Sequence, residues 1–359
     1  MLRFIGKLFK WVLIGVVLLA FLLMLPVGYV EVFCKQEASG DNYQPIILDQ
    51  NYQRAEANSY LTYPEWHIVF AYEGLAKVLE TSDEHAFGYS KSVVEFWKSV
   101  CALNQVANKH GGGDFNTRAT IHTIGVSFTL EMAAKALYEE TIGRLFALIR
   151  GNKKTPQDLY AANMAKDYAS FLHQVPWYKY DFDKSTAELW NLPLTNTLRS
   201  WERRLALGGE WKAKTSYAKG IAGLVEATGV AKLTIRSVVA GILPSELANI
   251  DGVEIIDATP NYVIIETPRY RTFTHILEKV VLLGGQIVEI AGNDDIMLSV
   301  IAPNESAQTV LKNGKVIIRL DRDGFNDERL LVEVKVKRLP LLFQELQQQK
   351  LQLEHVYDY

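Results

Sequence analysis

Residues 119–149 read as one long amphipathic helix with charge where none is expected. On a wheel of about 100° per residue, Ile121, Ile124, Phe128, Met132, Ile142, Phe146 and Ile149 share a face. Glu131, Lys135 and Glu139 fall on that same face. Carboxylates on an apolar face are costly unless paired or put to use. The spacing i, i+4, i+8 offers one answer, a Glu–Lys–Glu ladder that partly neutralises itself. The other is that Glu131 and Glu139 serve as acid/base groups or ligands in a helix-lined cavity.

Tyr63-Pro64-Glu65-Trp66-His67 gathers two aromatics, an acid and a histidine in five residues. Thr62 and Glu65 have the spacing of a capping box, with Pro64 in the first turn, which gives Glu65 a structural role. His67 falls on the opposite side of this helix, toward solvent or a cleft. In Trp201-Glu202-Arg203-Arg204 the makings of an ion-pair cluster under an aromatic cover appear, and Arg203 and Arg204 are also suited to holding a carboxylate or phosphate ligand.

Other motifs fail on inspection. Lys109-His110-Gly111-Gly112-Gly113 resembles an oxyanion-hole loop, but no G-x-S-x-G serine elbow accompanies it; Gly125-Val126-Ser127-Phe128-Thr129 lacks the closing glycine. None of the seven histidines follows a glutamate by three residues, and neither H-E-x-x-H nor C-x-x-C occurs, so no metal site is expected. Asp321, Asp323, Gly324 and Asp327 do not match the twelve-residue calcium loop and read as a hairpin turn. No cofactor is predicted.

The elements that must carry these residues follow from composition. Trp11 to Val30 are twenty residues without a charge, preceded by Arg3, Lys7 and Lys10. At about 1.5 Å per residue this spans the roughly 30 Å of a bilayer core. The run is longer than a signal-peptide apolar region and lacks an A-x-A cleavage site, so an uncleaved anchor is expected rather than a signal sequence. The flanking cations place residues 1–10 in the cytoplasm and the bulk of the chain outside the plasma (inner) membrane, which in a bacterium is the periplasm. Removing those three cations from 38 Lys+Arg leaves 35 against 41 Asp+Glu, net −6, which disfavours nucleic-acid binding. Cys34 and Cys101 are the two cysteines, and the expectation is two separate thiols.

Residues 31–53 read as a polar membrane-proximal spacer, and 54–230 as an all-α, bundle-like domain of five to seven helices. Residues 231–339 read as an α+β domain: the order strand–helix–strand–strand–helix–strand is ferredoxin-like, with extra strands appended. Residues 340–359 read as a polar helix or tail. The fold class is thus α+β behind a single transmembrane helix. Two functions fit: a non-enzymatic accessory or scaffold that meets an envelope protein partner, or a membrane-tethered enzyme or small-ligand binder whose helical pocket uses Glu65, His67, Glu131 and Glu139.

Overall fold

The computed structural model describes residues 2–35, 43–228, 233–304 and 310–359. It is a mixed α+β protein, 59% helix, with two four-stranded antiparallel sheets and one apolar N-terminal helix. That helix, α1 (Leu2–Phe33), contains a stretch, Leu13–Phe33, long and apolar enough to cross a membrane, as an anchor or a signal sequence would be.

The last turns of α1 are built into the body of the protein. Val27, Val30 and Cys34 are buried in the core of the helical region. Cys34 forms a disulfide with Cys101, their Cα atoms 5.1 Å apart, so the expected separate thiols are in fact paired. Asn104 Nδ2 donates to the Cys34 carbonyl at 3.2 Å. Glu31 accepts from His122 at 2.8 Å and Arg118 at 3.3 Å. Residues 31–34 are therefore not spacer. The later part of the supposed spacer is held as well: Tyr43 Oη and the Ile46 and Ile47 amides all donate to the Glu289 carboxylate.

Eight helices follow: α2 (Ala57–Leu61), α3 (Tyr63–Thr81), α4 (Tyr89–Lys109), α5 (Phe115–Tyr138), α6 (Arg144–Arg150), α7 (Pro156–Leu172), α8 (Phe182–Asn191) and α9 (Thr197–Thr228). The loop after α4 turns through Gly111 and Gly112 at positive φ, and Asp114 caps α5 by accepting from the Thr117 amide at 2.7 Å. Between α5 and α6 lies a π-helical turn, Glu139–Gly143. The extra residue advances the helical phase. Ile142 and Ile149, which a regular wheel puts inside, are consequently 47% and 56% exposed, while Gly143 and Ala147 take the inner face.

The β region differs from one sheet with strands appended. Strands β1 (Thr234–Ala240), β2 (Glu254–Ala258), β3 (Val263–Pro268) and β4 (Gln286–Ile290) form a sheet in the order β2-β3-β1-β4. Strands β5 (Asp295–Pro303), β6 (Lys315–Asp321), β7 (Asp327–Lys335) and β8 (Gln352–Tyr357) form a second, in the order β6-β7-β5-β8. Helices α10 (Pro244–Leu247), α11 (Arg271–Leu282) and α12 (Leu339–Gln348) complete the region. Residues 340–359 are thus no polar tail: α12 buries Leu342, Phe343 and Leu346, and β8 pairs with β5.

The second sheet is covered on both faces, and its alternation sorts residues accordingly. Ile296, Leu298 and Val300 of β5 enter a core shared with the first sheet, α11 and α12; Met297 enters the core of the helices. Leu331 on β7 likewise faces the helices, between Leu330 and Val332, which face the other way. This sheet is the wall on which the helical body rests.

Candidate functional site

The arginines of α9 organise the largest buried charge cluster. Arg199 and Arg203 are fully buried. Arg203 Nη1 and Nη2 donate to the two oxygens of Glu139 at 3.0 and 3.1 Å, Nε donates to Glu202 at 2.8 Å, and Nη1 reaches Glu84 at 3.1 Å. Arg199 donates to Asp158 and Glu202, each at 2.8 Å, and to the Gly143 carbonyl at 3.2 Å. Arg150 grips Asp83 through both terminal nitrogens at 2.9 Å and also reaches Asp158. Burial raises the Glu139 carboxyl above its usual range, and the Arg203 charge draws it only partway back. Gly143 at the π-turn leaves room for this pair, since a Cβ there would meet the Glu139 carboxylate.

A second cluster holds Glu131. Lys214 of α9 pairs with Glu131 at 2.9 Å and Glu210 at 3.2 Å, and the Tyr72 hydroxyl donates to Glu131. The Lys214 ammonium also lies 4.5 Å from the centre of the Tyr72 ring. Lys135 pairs with Glu210 at 2.8 Å. Burial opposes ionisation of Glu210, but Lys135 and Lys214 together hold its carboxyl down at about 2. Glu131, Lys135 and Glu139 are therefore answered across to α9, and not by one another along their own helix.

The Tyr63–His67 segment is arranged otherwise than its sequence suggests. Thr62 is helical (φ −80°, ψ −20°) because α2 runs directly into α3, so it caps nothing, and Glu65 is exposed. His67 is buried, against the expectation of solvent or cleft exposure, among the rings of Tyr63, Phe96 and Phe128. Its Nε2 donates to the Ser92 carbonyl at 3.0 Å, and desolvation lowers the imidazole to about 3, so the ring is neutral with a bare Nδ1. Arg204 lies between the Trp190 and Trp201 rings, 5.7 and 5.6 Å from their centres, and donates to the Leu192 carbonyl.

His67 nonetheless lines a cleft, of ≈ 360 Å³, between α3, α4 and the β6–β7 hairpin. The hairpin tip sits on α3 backbone to backbone: a Cβ on Gly74 would lie 2.9 Å from the Asp323 carbonyl, and Gly324 turns with φ +78°. Arg322 stacks on Phe325 at 3.9 Å and donates to both Asp327 oxygens at 2.7 and 2.8 Å. Glu95 stands at the rim with Asp321 and Asp323; burial, only partly offset by Lys91, raises its carboxyl to about 7.

One further cluster, missed in the sequence, joins the helices to the second sheet. His110 Nδ1 faces Glu56 at 3.1 Å and Asp295 at 3.9 Å, and Nε2 faces Glu333 at 3.2 Å. Burial alone would lower this imidazole, but its bonds to Glu333 and Glu56 raise it to about 9. No local spacing announces the set, because its members come from α2, the glycine loop, β5 and β7. Glu56, His110 and Asp295, like Asp83, Glu84 and Asp158, bring ligand atoms within 4.8 Å of one another. In the second trio, arginines already occupy the carboxylates.

No family model, curated protein or solved structure matches this chain. What the residues themselves do is the ground for any assignment of function.

Proposed function

We propose that the protein is a single-pass membrane protein whose helical and β regions together form an extracytoplasmic accessory or scaffold of the cell envelope, without catalytic activity of its own. The observation that carries this reading is the burial of Val27, Val30 and Cys34 in the helical core. A cleaved signal sequence leaves the mature protein, so its residues are not needed to complete a core; these are. The Cys34–Cys101 disulfide supports an oxidising compartment, the side to which Arg3, Lys7 and Lys10 would direct the body. We read each sheet as a ferredoxin-like unit, the first with its full strand–helix–strand–strand–helix–strand order.

The carboxylate-pocket alternative draws less support. Glu131 and Glu139 are held by Lys214 and Arg203, and neither lines the cleft beside the β6–β7 hairpin. An amine reagent that cannot cross membranes tests the reading. Added to right-side-out vesicles, it is expected to label Lys184 and Lys219, whose side chains are well exposed. Labelling confined to inside-out vesicles contradicts the orientation.

A further inference from the structure

Three buried polar atoms without a hydrogen-bond partner among the described residues belong to the lining of a single cleft. They are the Tyr63 hydroxyl, His67 Nδ1 and Arg322 Nε, and the cleft is the one between α3, α4 and the β6–β7 hairpin. Each such atom, left dry, costs about 1–3 kcal/mol, so its persistence calls for something that answers it. The three differ in what they need. His67 Nδ1, bare because Nε2 carries the proton, only accepts. Arg322 Nε only donates, while the Nη groups of the same guanidinium are already engaged by Asp327 and Glu73. Tyr63 does both. At the rim, Glu95 makes no hydrogen bond or direct ion pair among the described residues and adds a further acceptor.

This mixture selects the chemistry. An ammonium group only donates and leaves Arg322 Nε unanswered. A phosphate or carboxylate only accepts, leaves His67 Nδ1 bare, and meets the carboxylates of Glu95, Asp321 and Asp323. A hydroxyl donates one hydrogen bond and accepts two. The rings of Tyr63 and Phe325 add apolar surface of the kind that packs against C–H groups. We propose that this cleft binds a polyhydroxyl ligand, a sugar ring or comparable polyol, with hydroxyls donating to His67 Nδ1 and Glu95 and accepting from Tyr63 and Arg322. The proposal does not depend on which side of the membrane the body lies.

The test uses the full-length protein in detergent, labelled with ¹⁵N in its histidines. N-acetylglucosamine, glucose and glycerol are the probes, with putrescine and inorganic phosphate as charged controls. A sugar is expected to shift the His67 Nδ1 signal saturably, and loss of the Glu95 charge in Glu95→Gln weakens binding about tenfold. His67→Phe fills the same space without the lone pair and abolishes binding, the other histidine signals reporting that the fold is kept. Should that variant not fold, the Nδ1 shift and the Glu95→Gln titration still decide. An Nδ1 signal unmoved by every sugar overturns the site, since a resident water then suffices, and tighter binding of putrescine or phosphate overturns the hydroxyl assignment.

Discussion

The arginine cluster of α9 and the cleft beside the β6–β7 hairpin are made of the same residue types and end in opposite states. In the cluster, all three nitrogens of the Arg203 guanidinium meet carboxylate oxygens, and Glu139 has both of its oxygens engaged. In the cleft, Arg322 keeps one idle N–H, His67 one idle lone pair and Tyr63 an idle hydroxyl. Burial and charge are common to both regions and do not distinguish structure from function. What separates them is whether hydrogen-bonding capacity is used up. Glu139 and Arg203 belong to the closed region, whereas His67, the weaker candidate by sequence, belongs to the open one.

The sharpest way to break this contrast is to remove a charge from the closed region. Arg203→Leu strands Glu139, Glu202 and Glu84 in the core, and chemical unfolding of the solubilised protein should show a loss of about 3–5 kcal/mol. A loss near zero would mean that the cluster is not closed.

Next in size is His110, closed between Glu56, Asp295 and Glu333, with Tyr60 beside it and Lys335 on Asp295. Its folded value of about 9 lies above the ordinary 6.5, so its stabilisation is complete below pH 6.5 and is lost as the pH rises through 9. Unfolding followed across that window should fall by roughly 2–3 kcal/mol, and His110→Gln should flatten it. Gly74→Ala drives a Cβ against the Asp323 carbonyl and should cost about 1–3 kcal/mol by lifting the hairpin that bounds the cleft; a neutral outcome would show that the tip is not seated on α3.

The smallest effect has the opposite sign. Glu95 is raised from 4.5 to about 7, so the folded state retains its proton more tightly and loses stability as the pH rises through 7. Glu95→Gln should therefore gain about 1 kcal/mol above pH 7 and nothing below pH 4.5, as measured by melts at the two extremes. A loss at high pH would place Glu95 in a closed pair.

Two similar threonine motifs show what was legible and why. Thr155-Pro156-Gln157-Asp158 and Thr62-Tyr63-Pro64-Glu65 both suggest helix starts. The first forms a true capping box, because Thr155 is extended (φ −81°, ψ 164°). The second does not, because a short helix already precedes Thr62. Local chemistry is readable only where the neighbouring chain leaves the residue free to adopt it. For the same reason Asp323-Gly324 is legible as a turn, with the positive φ that glycine permits.

Features that depend on distant partners were not legible. The Cys34–Cys101 bond joins residues 67 apart, and Glu139 meets its arginine 64 residues away. The π-turn is hidden because one inserted residue alters the phase of everything after it, so Ile142 and Ile149 look internal on a wheel that the backbone does not follow. β8 looked polar because Gln352, Glu354 and His355 stand among its residues, yet Arg329 binds the Glu354 carboxylate through two nitrogens at 2.5 and 2.6 Å.

That an apolar N-terminal rod is a permanent part of the body, sealed to it in an oxidising space, is most directly tested by intact-mass spectrometry. Protein is extracted from membranes under denaturing conditions with a thiol-trapping reagent and without reductant. The account predicts a chain that retains residues 11–34 and carries no thiol adduct. A chain beginning beyond Cys34, or a full-length chain bearing two adducts, would contradict it.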